Sequence, residues 1–203
     1  MARLLVFIIF LTFSFSGNAQ LRIHAGGGVN FSNIDFKNFQ TPKVNSATNY
    51  FISVRPELGI TESISVGLDI QYSRKGYNFD DANADPISGY RFQYLDLIPQ
   101  AQLKVFKPLY LFGGIGLGIR TSERFKIEEI WDQAKIKLTK PTEFTYVAGM
   151  RFYPVKKISI HAQFAGTLGQ FFDVEWTDAQ GNIIPNVSTK LNNIQVGLGY
   201  QLY

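Results

Sequence analysis

The chain ends on Asn193-Ile194-Gln195-Val196-Gly197-Leu198-Gly199-Tyr200-Gln201-Leu202-Tyr203. Ile194, Val196, Leu198, Tyr200 and Leu202 alternate without a break against Asn193, Gln195, Gly197, Gly199, Gln201 and Tyr203. Successive side chains of a β-strand point to opposite faces, so this stretch is a strand with one apolar face and one polar or very small face. A tilted strand of about 9–11 residues crosses a bilayer. The stretch therefore reads as the closing strand of a barrel whose apolar face meets lipid.

Seven earlier stretches carry the same alternation. The first is roughly 20–31, where Leu21, Ile23, Ala25, Val29 and Phe31 oppose Arg22, His24, Gly26, Gly28 and Asn30. The second is about 49–60, with Pro56 on its apolar face, where the missing N–H removes one ladder donor. Ile64, Val66, Leu68, Ile70 and Tyr72 mark a third, about 63–77, and Leu95, Leu97, Pro99, Ala101, Leu103 and Val105 a fourth, about 90–106. The fifth (about 109–120) contains Phe112-Gly113-Gly114-Ile115-Gly116-Leu117-Gly118. The sixth and seventh cover 144–153 and 158–168. Connections alternate long and short, as in outer-membrane barrels with long outer loops and short periplasmic turns. The expected fold is an all-β, eight-stranded antiparallel up-and-down transmembrane β-barrel with both termini periplasmic.

Direction of burial separates this reading from a soluble ligand-binding barrel. One face carries Leu, Ile, Val, Phe and Tyr; the other carries Gly, Ser, Gln and charges. An eight-stranded interior is narrow and filled by side chains, so the small and polar face fits inside. Aromatics at strand ends suit two interfacial girdles. Phe31, Tyr50, Tyr72, Tyr90, Phe92 and Phe144 form the expected upper one, and Phe106, Tyr110, Phe152, Tyr153 and Tyr203 the lower. The longest connection, 121–143, reads as a short amphipathic helix or as a hairpin above the membrane, with the hairpin favoured.

The chain begins with Met1-Ala2-Arg3, an apolar run from Leu4 to Phe15, and small residues at Gly17 and Ala19. That is a secretory leader with cleavage expected near Ala19/Gln20; its apolar run is too short for a membrane helix. Residues 1–19 are then the signal peptide and 20–203 the barrel domain. Cysteine is absent, which excludes disulfides, thiol chemistry, a lipid-modified Cys and Cys-based metal sites. The net charge is +4, or +3 once Arg3 is lost with the leader, too slight to imply nucleic acid. No cofactor is expected. The expected partners are outer-membrane lipid and proteins reached through the long loops or periplasmic turns.

The inward phase carries Arg55, Glu57, Asp69, Asp96, Lys104 and Arg151. Unpaired charge in a narrow lumen is costly, so these six are expected to form a structural ion-pair network, with Arg55 opposite Asp69. A proton or ion path is the alternative. The only histidines, His24 and His161, share the inward phase. Ser159 lies two residues before His161, but a catalytic Ser–His pair on lipid belongs at the lipid-facing rim, so no catalytic residue is assigned. Two histidines without a carboxylate at ligand spacing give no zinc site. Gly114, Gly116 and Gly118 lie within a strand and open no helix, which excludes a phosphate loop. Phe36, Phe39, Trp131, Phe171, Phe172 and Trp176 fall in connections, as a partner surface or as self-packed loop cores.

Tyr94-Leu95-Asp96-Leu97-Ile98-Pro99 leading to Lys104, the glycine-rich run Phe112–Gly118, and Val196-Gly197-Leu198-Gly199-Tyr200 resemble the PorT-like family of small outer-membrane β-barrels. Gln100 and Gln102 depart from the more apolar stretch usual before the Lys. The resemblance implies an outer-membrane barrel and a role accessory to protein secretion. It transfers no catalytic residue. A barrel enzyme acting on lipid A or phospholipid is the alternative function, and a narrow pore a third.

Overall fold

The computed structural model describes residues 20–38, 43–79, 87–127, 130–134, 138–172, 180, 183–184 and 187–203. The expected leader, Phe39 and Trp176 lie outside the described residues. Among the described residues there are nine strands: β1 Leu21–Lys37, β2 Val44–Gly59, β3 Ile64–Phe79, β4 Ile87–Phe106, β5 Leu109–Ile127, β6 Ile130–Gln133, β7 Thr142–Val155, β8 Ile158–Thr167 and β9 Ser188–Gln201. Eight of them form a closed antiparallel barrel. Consecutive barrel strands pair, β9 pairs with β1, and β4 pairs with β5 to complete the wall. The short β6 is a hairpin partner of upper β5, so the described part of the 121–143 connection contains a hairpin, and no helix lies among its described residues.

The registers put the apolar belt outside. Ile52, Ile115 and Leu198 are 58%, 59% and 61% exposed, and all three sit mid-strand. On β2, Tyr50, Ile52, Val54, Pro56, Leu58 and Ile60 run down one outward row, long enough to span a bilayer core. The C-terminus is tied in as a strand end. Leu202 N–H donates to the Ile23 carbonyl (2.7 Å), and Ile23 N–H to that of Tyr203 (3.0 Å).

The strands run further than the alternation of apolar residues alone indicates. Beyond Phe31, Tyr72, Leu95 and Ile194 the phase of each strand is kept while its polarity inverts. Outward positions become Asn33 and Asp35, Arg74, Gln93 and Arg91, Asn192 and Lys190. Inward positions become Ile34, Tyr77, Phe92 and Leu191, all nearly or wholly buried. The switch falls at one level around the wall, since Phe31 pairs with Ile194 and Tyr72 with Leu95. Below it the outer solvent is apolar; above it the solvent is water, and the strands bury their apolar face inward as a soluble barrel does.

This inversion corrects the expected upper girdle. Phe92 is fully buried, packed at the head of the lumen with half-buried Tyr90 beside it. Phe31, Tyr50 and Phe144 remain outward, at 41%, 45% and 57% exposure. At the opposite end Phe106 and Phe152 are outward, while Tyr153 turns to the lumen mouth and stacks edge-on against Tyr110.

Candidate functional site in the barrel lumen

Side chains fill the lumen from end to end. At the mouth beside the termini, Glu57 gathers three partners: Arg22 at 3.1 Å, Arg55 at 3.3 Å and His24 at 3.7 Å. Arg55 also donates to the Tyr153 hydroxyl (3.3 Å). The β2–β3 register, pairing Val54 with Ile70 and Glu57 with Gly67, sets Arg55 opposite Asp69. The ion pair of Arg55 nevertheless runs to Glu57 on its own strand, and buried Asp69 accepts instead from the Gln71 amide (3.0 Å).

Further in, Arg151 is 1% exposed. It donates to the Gln102 side-chain oxygen and lies over the Phe112 ring, 4.4 Å from its centroid. His161 pairs with Arg151 across β7–β8 and meets Phe51 edge-to-face. Phe51 has room because of Gly197, where an added Cβ would lie 2.7 Å from the Phe51 ring. Gly149 does the same for Phe112, whose ring tip would stand 2.6 Å from an added Cβ. Glycines thus admit aromatics from the neighbouring strand, as Gly149 does its cross-strand partner Phe112, or from the next strand but one, as Gly197 on β9 does Phe51 on β2, and those rings lie in the bore.

Lys75 lies in the upper half. Its ammonium donates to Asp96 (3.1 Å) and Glu143 (3.3 Å), and sits 4.6 Å from the Tyr94 ring centroid. Ser73 donates to Asp96 (2.5 Å) and Thr167 to Glu143 (2.6 Å). Above this triad comes an apolar plug of Ile34, Tyr77, Phe92, Tyr94, Phe171, Phe172 and Leu191. Phe171 and Phe172 arrive from the β8–β9 connection. They are held by Phe171 N–H to the Thr189 carbonyl (2.9 Å), Phe172 N–H to the Thr189 hydroxyl (3.1 Å), and a bridge from Phe172 to Thr139. These two phenylalanines belong to a self-packed loop core.

Of the six expected network residues, five are buried and one is not. Arg55, Glu57, Asp69, Asp96 and Arg151 occupy the lumen; Lys104 is half-buried near the turn end and joins none of the ion pairs among the described residues. Five further charges belong to the interior arrangement: Arg22, Lys75, Arg120, Glu123 and Glu143. Phase identifies Lys75, which continues the inward row Asp69, Gln71, Ser73 inside the expected third strand (63–77) but is not among the six. Ser159 and His161 are both buried in the lumen wall, 2% and 6% exposed, away from lipid. Among the described residues no three His, Asp or Glu side chains are grouped to hold a metal ion.

A closed eight-stranded wall with an apolar exterior, a polar interior and alternating long and short connections defines an outer-membrane β-barrel. The chain belongs to the outer membrane protein beta-barrel domain family, whose model matches residues 14–201. The fold is similar to that of Ail, the attachment invasion locus protein of Yersinia pestis (TM-score 0.53, 15% identity, 89% of this chain and 98% of that one). It is equally similar to OprG from Pseudomonas aeruginosa (TM-score 0.53, 12% identity, 92% and 98%) and to Neisserial surface protein A (0.52, 9%, 90% and 98%). At such identities the likeness is one of fold. No curated protein sequence matches the chain.

Proposed function

We propose that this protein is a non-catalytic outer-membrane barrel with a structural and interaction role, accessory to protein secretion in its most specific form. The carrying observation is the filled bore. From Glu57 through Arg151 and Lys75 to the Phe92–Phe172 plug, side chains contact one another across the barrel. Such an interior supports a scaffold over a pore, because a conducting path would need the ion pairs broken and the plug displaced. The enzyme alternative is opposed by the lumen-facing positions of His24 and His161, which lipid substrates do not reach.

In this reading the leader 1–19 is removed, the mature chain starts near Gln20, both termini face the periplasm, and the long loops face outward. The interior charges, Lys104 excepted, serve stability and shape. Protein partners are met at the loop end or at the periplasmic turns, and no nucleic acid is involved. The test compares a deletion strain with its parent for secreted proteins and for lipid A composition. Loss of secreted proteins with unchanged acyl chains is the expected result. Altered acyl chains with normal secretion would replace this function with the enzyme.

A further inference from the structure

Just beyond the apolar belt, the outer face of β3–β4–β5–β6 carries arginine. Backbone pairing joins Gly76 to Arg91, Arg91 to Arg124, and Arg124 to Gln133. Directly paired residues share a face. Here that face is outward, since the neighbouring pair Phe92 and Glu123 points inward and is buried. Arg74 joins the same face one outward position above Tyr72, and Arg91 lies two outward positions above Leu95. At about 3.3 Å per residue the two stand roughly 7 and 13 Å along their strands from the last belt residues. That is the depth of the lipid headgroups.

Trp131 on β6 brings two of the arginines together. The Arg91 guanidinium carbon lies 4.7 Å from the Trp131 ring centroid and that of Arg74 lies 5.7 Å from it. Among the described residues Arg91 donates to neutral acceptors, the carbonyls of Tyr77 and Tyr90 and the Asn78 side-chain oxygen. The Arg74 side chain meets no acceptor among the described residues, and its Nε is buried without a partner. Arg124 is exposed and in no ion pair among them. Glu123 is turned away, bound to Arg120 (2.7 Å) and the Thr139 hydroxyl (3.1 Å).

Three guanidiniums without a paired carboxylate among the described residues, two of them pre-stacked on an indole at headgroup depth, form an anion acceptor. Planar guanidiniums bind phosphate through paired N–H donors, and tryptophan belongs at a membrane interface. We propose that Arg74, Arg91 and Arg124, organised on Trp131, bind the phosphate of an outer-leaflet glycolipid headgroup. The assignment rests on the outward orientation of the loop end given under Proposed function.

The chain has two tryptophans, so in a Trp176→Phe background the emission of Trp131 alone reports on the site. The full mature barrel is folded in phosphocholine micelles and its folding checked by heat-dependent gel mobility. It is then titrated with phosphorylated lipid A and with the same lipid dephosphorylated. The phosphorylated lipid should shift Trp131 emission saturably. Removing the phosphate, or the double change Arg74→Gln with Arg124→Gln, should weaken binding about tenfold or more, the scale of lost charge-assisted hydrogen bonds. The double variant keeps Arg91, whose bond to the Tyr77 carbonyl ties β4 to β3. Equal binding of the two lipids, or binding unchanged in the double variant, would overturn the proposal. Inorganic phosphate binding as tightly as lipid A would overturn the lipid as its source.

Because the chain lacks cysteine, Arg124→Cys provides one label for orientation. A membrane-impermeant maleimide should label it on intact cells. Labelling there without lipid A binding in micelles rejects the phosphate site and leaves the orientation standing. Labelling only after lysis rejects the orientation and the site together.

Discussion

The ammonium of Lys75 lies 3.1 Å from the carboxylate of Asp96, across the β3–β4 pair and inside the barrel. Glu143, on the opposite side of the bore, is 3.3 Å from the same ammonium. One buried cation therefore holds two buried carboxylates, and removing it leaves both exposed to each other in a site without bulk water. Lys75→Ala should cost about 3–5 kcal/mol in reversible urea unfolding from lipid vesicles. Replacing all three, Lys75→Met with Asp96→Asn and Glu143→Gln, should recover most of that loss. Equal stability of the Ala variant and the parent would show that the triad contributes no net structure.

Asp69 gives a milder version of the same test. It is buried opposite Arg55, and its partner is the Gln71 amide, so Asp69→Ala removes a neutral-donor bond and a compensating charge. A loss of about 1–3 kcal/mol is expected from the same unfolding measurement. An unchanged midpoint would contradict a structural role for this charge.

The polarity switch along each strand predicts a positional pattern of tolerance. Leu198 faces outward in mid-belt, whereas Asn192 faces outward above the switch level. Leu198→Arg should cost about 2–4 kcal/mol and Asn192→Arg about 0–1 kcal/mol, since the cost of arginine on the lipid face falls with distance from the midplane. Unfolding of both variants from vesicles checks the pair, and equal costs would contradict the placement of the belt.

Phe92 closes the upper bore in a fully buried site, in contact with Phe171 at a ring separation of 5.0 Å. Phe92→Ala should lower stability by about 3–5 kcal/mol through the cavity it leaves. It should not produce steady conductance in planar bilayers, because the Arg151–Gln102 and Arg55–Tyr153 contacts still occupy the bore below. An open channel in the parent protein would refute the filled lumen.

Most of the fold was legible because the belt is an unusually strong signal. Lipid outside and side chains inside force strict alternation on strands such as Ile194–Leu202, and the spacing of connections then supplies the strand count and the pairing order. What escaped has a physical cause. Above the membrane the outer solvent is water, so Ile34, Tyr77, Phe92 and Leu191 turn inward on the same strands whose lower apolar residues turn outward. A pattern that equates apolar with lipid-facing stops reading the inward row at that level, even where the strand (63–77, 90–106) is drawn past it. It therefore assigns Phe92 to a girdle and passes over Lys75 and Glu143, which lie near the switch. Lys104 shows the opposite error: its phase is inward, but the wall ends two residues later at Phe106, and the side chain stays half in solvent. The partners of Arg55 were not legible either, because Glu57 two residues along the same strand competes with Asp69 across it.

The central claim, that this chain is a closed barrel spanning the outer membrane, is tested most directly by gel mobility of the outer-membrane fraction with and without boiling. A sealed eight-stranded wall resists detergent until heated, so the unboiled band should run faster and shift to the mobility of the unfolded chain on boiling. Recovery of the protein in the soluble periplasmic fraction, with one mobility under both conditions, would contradict it.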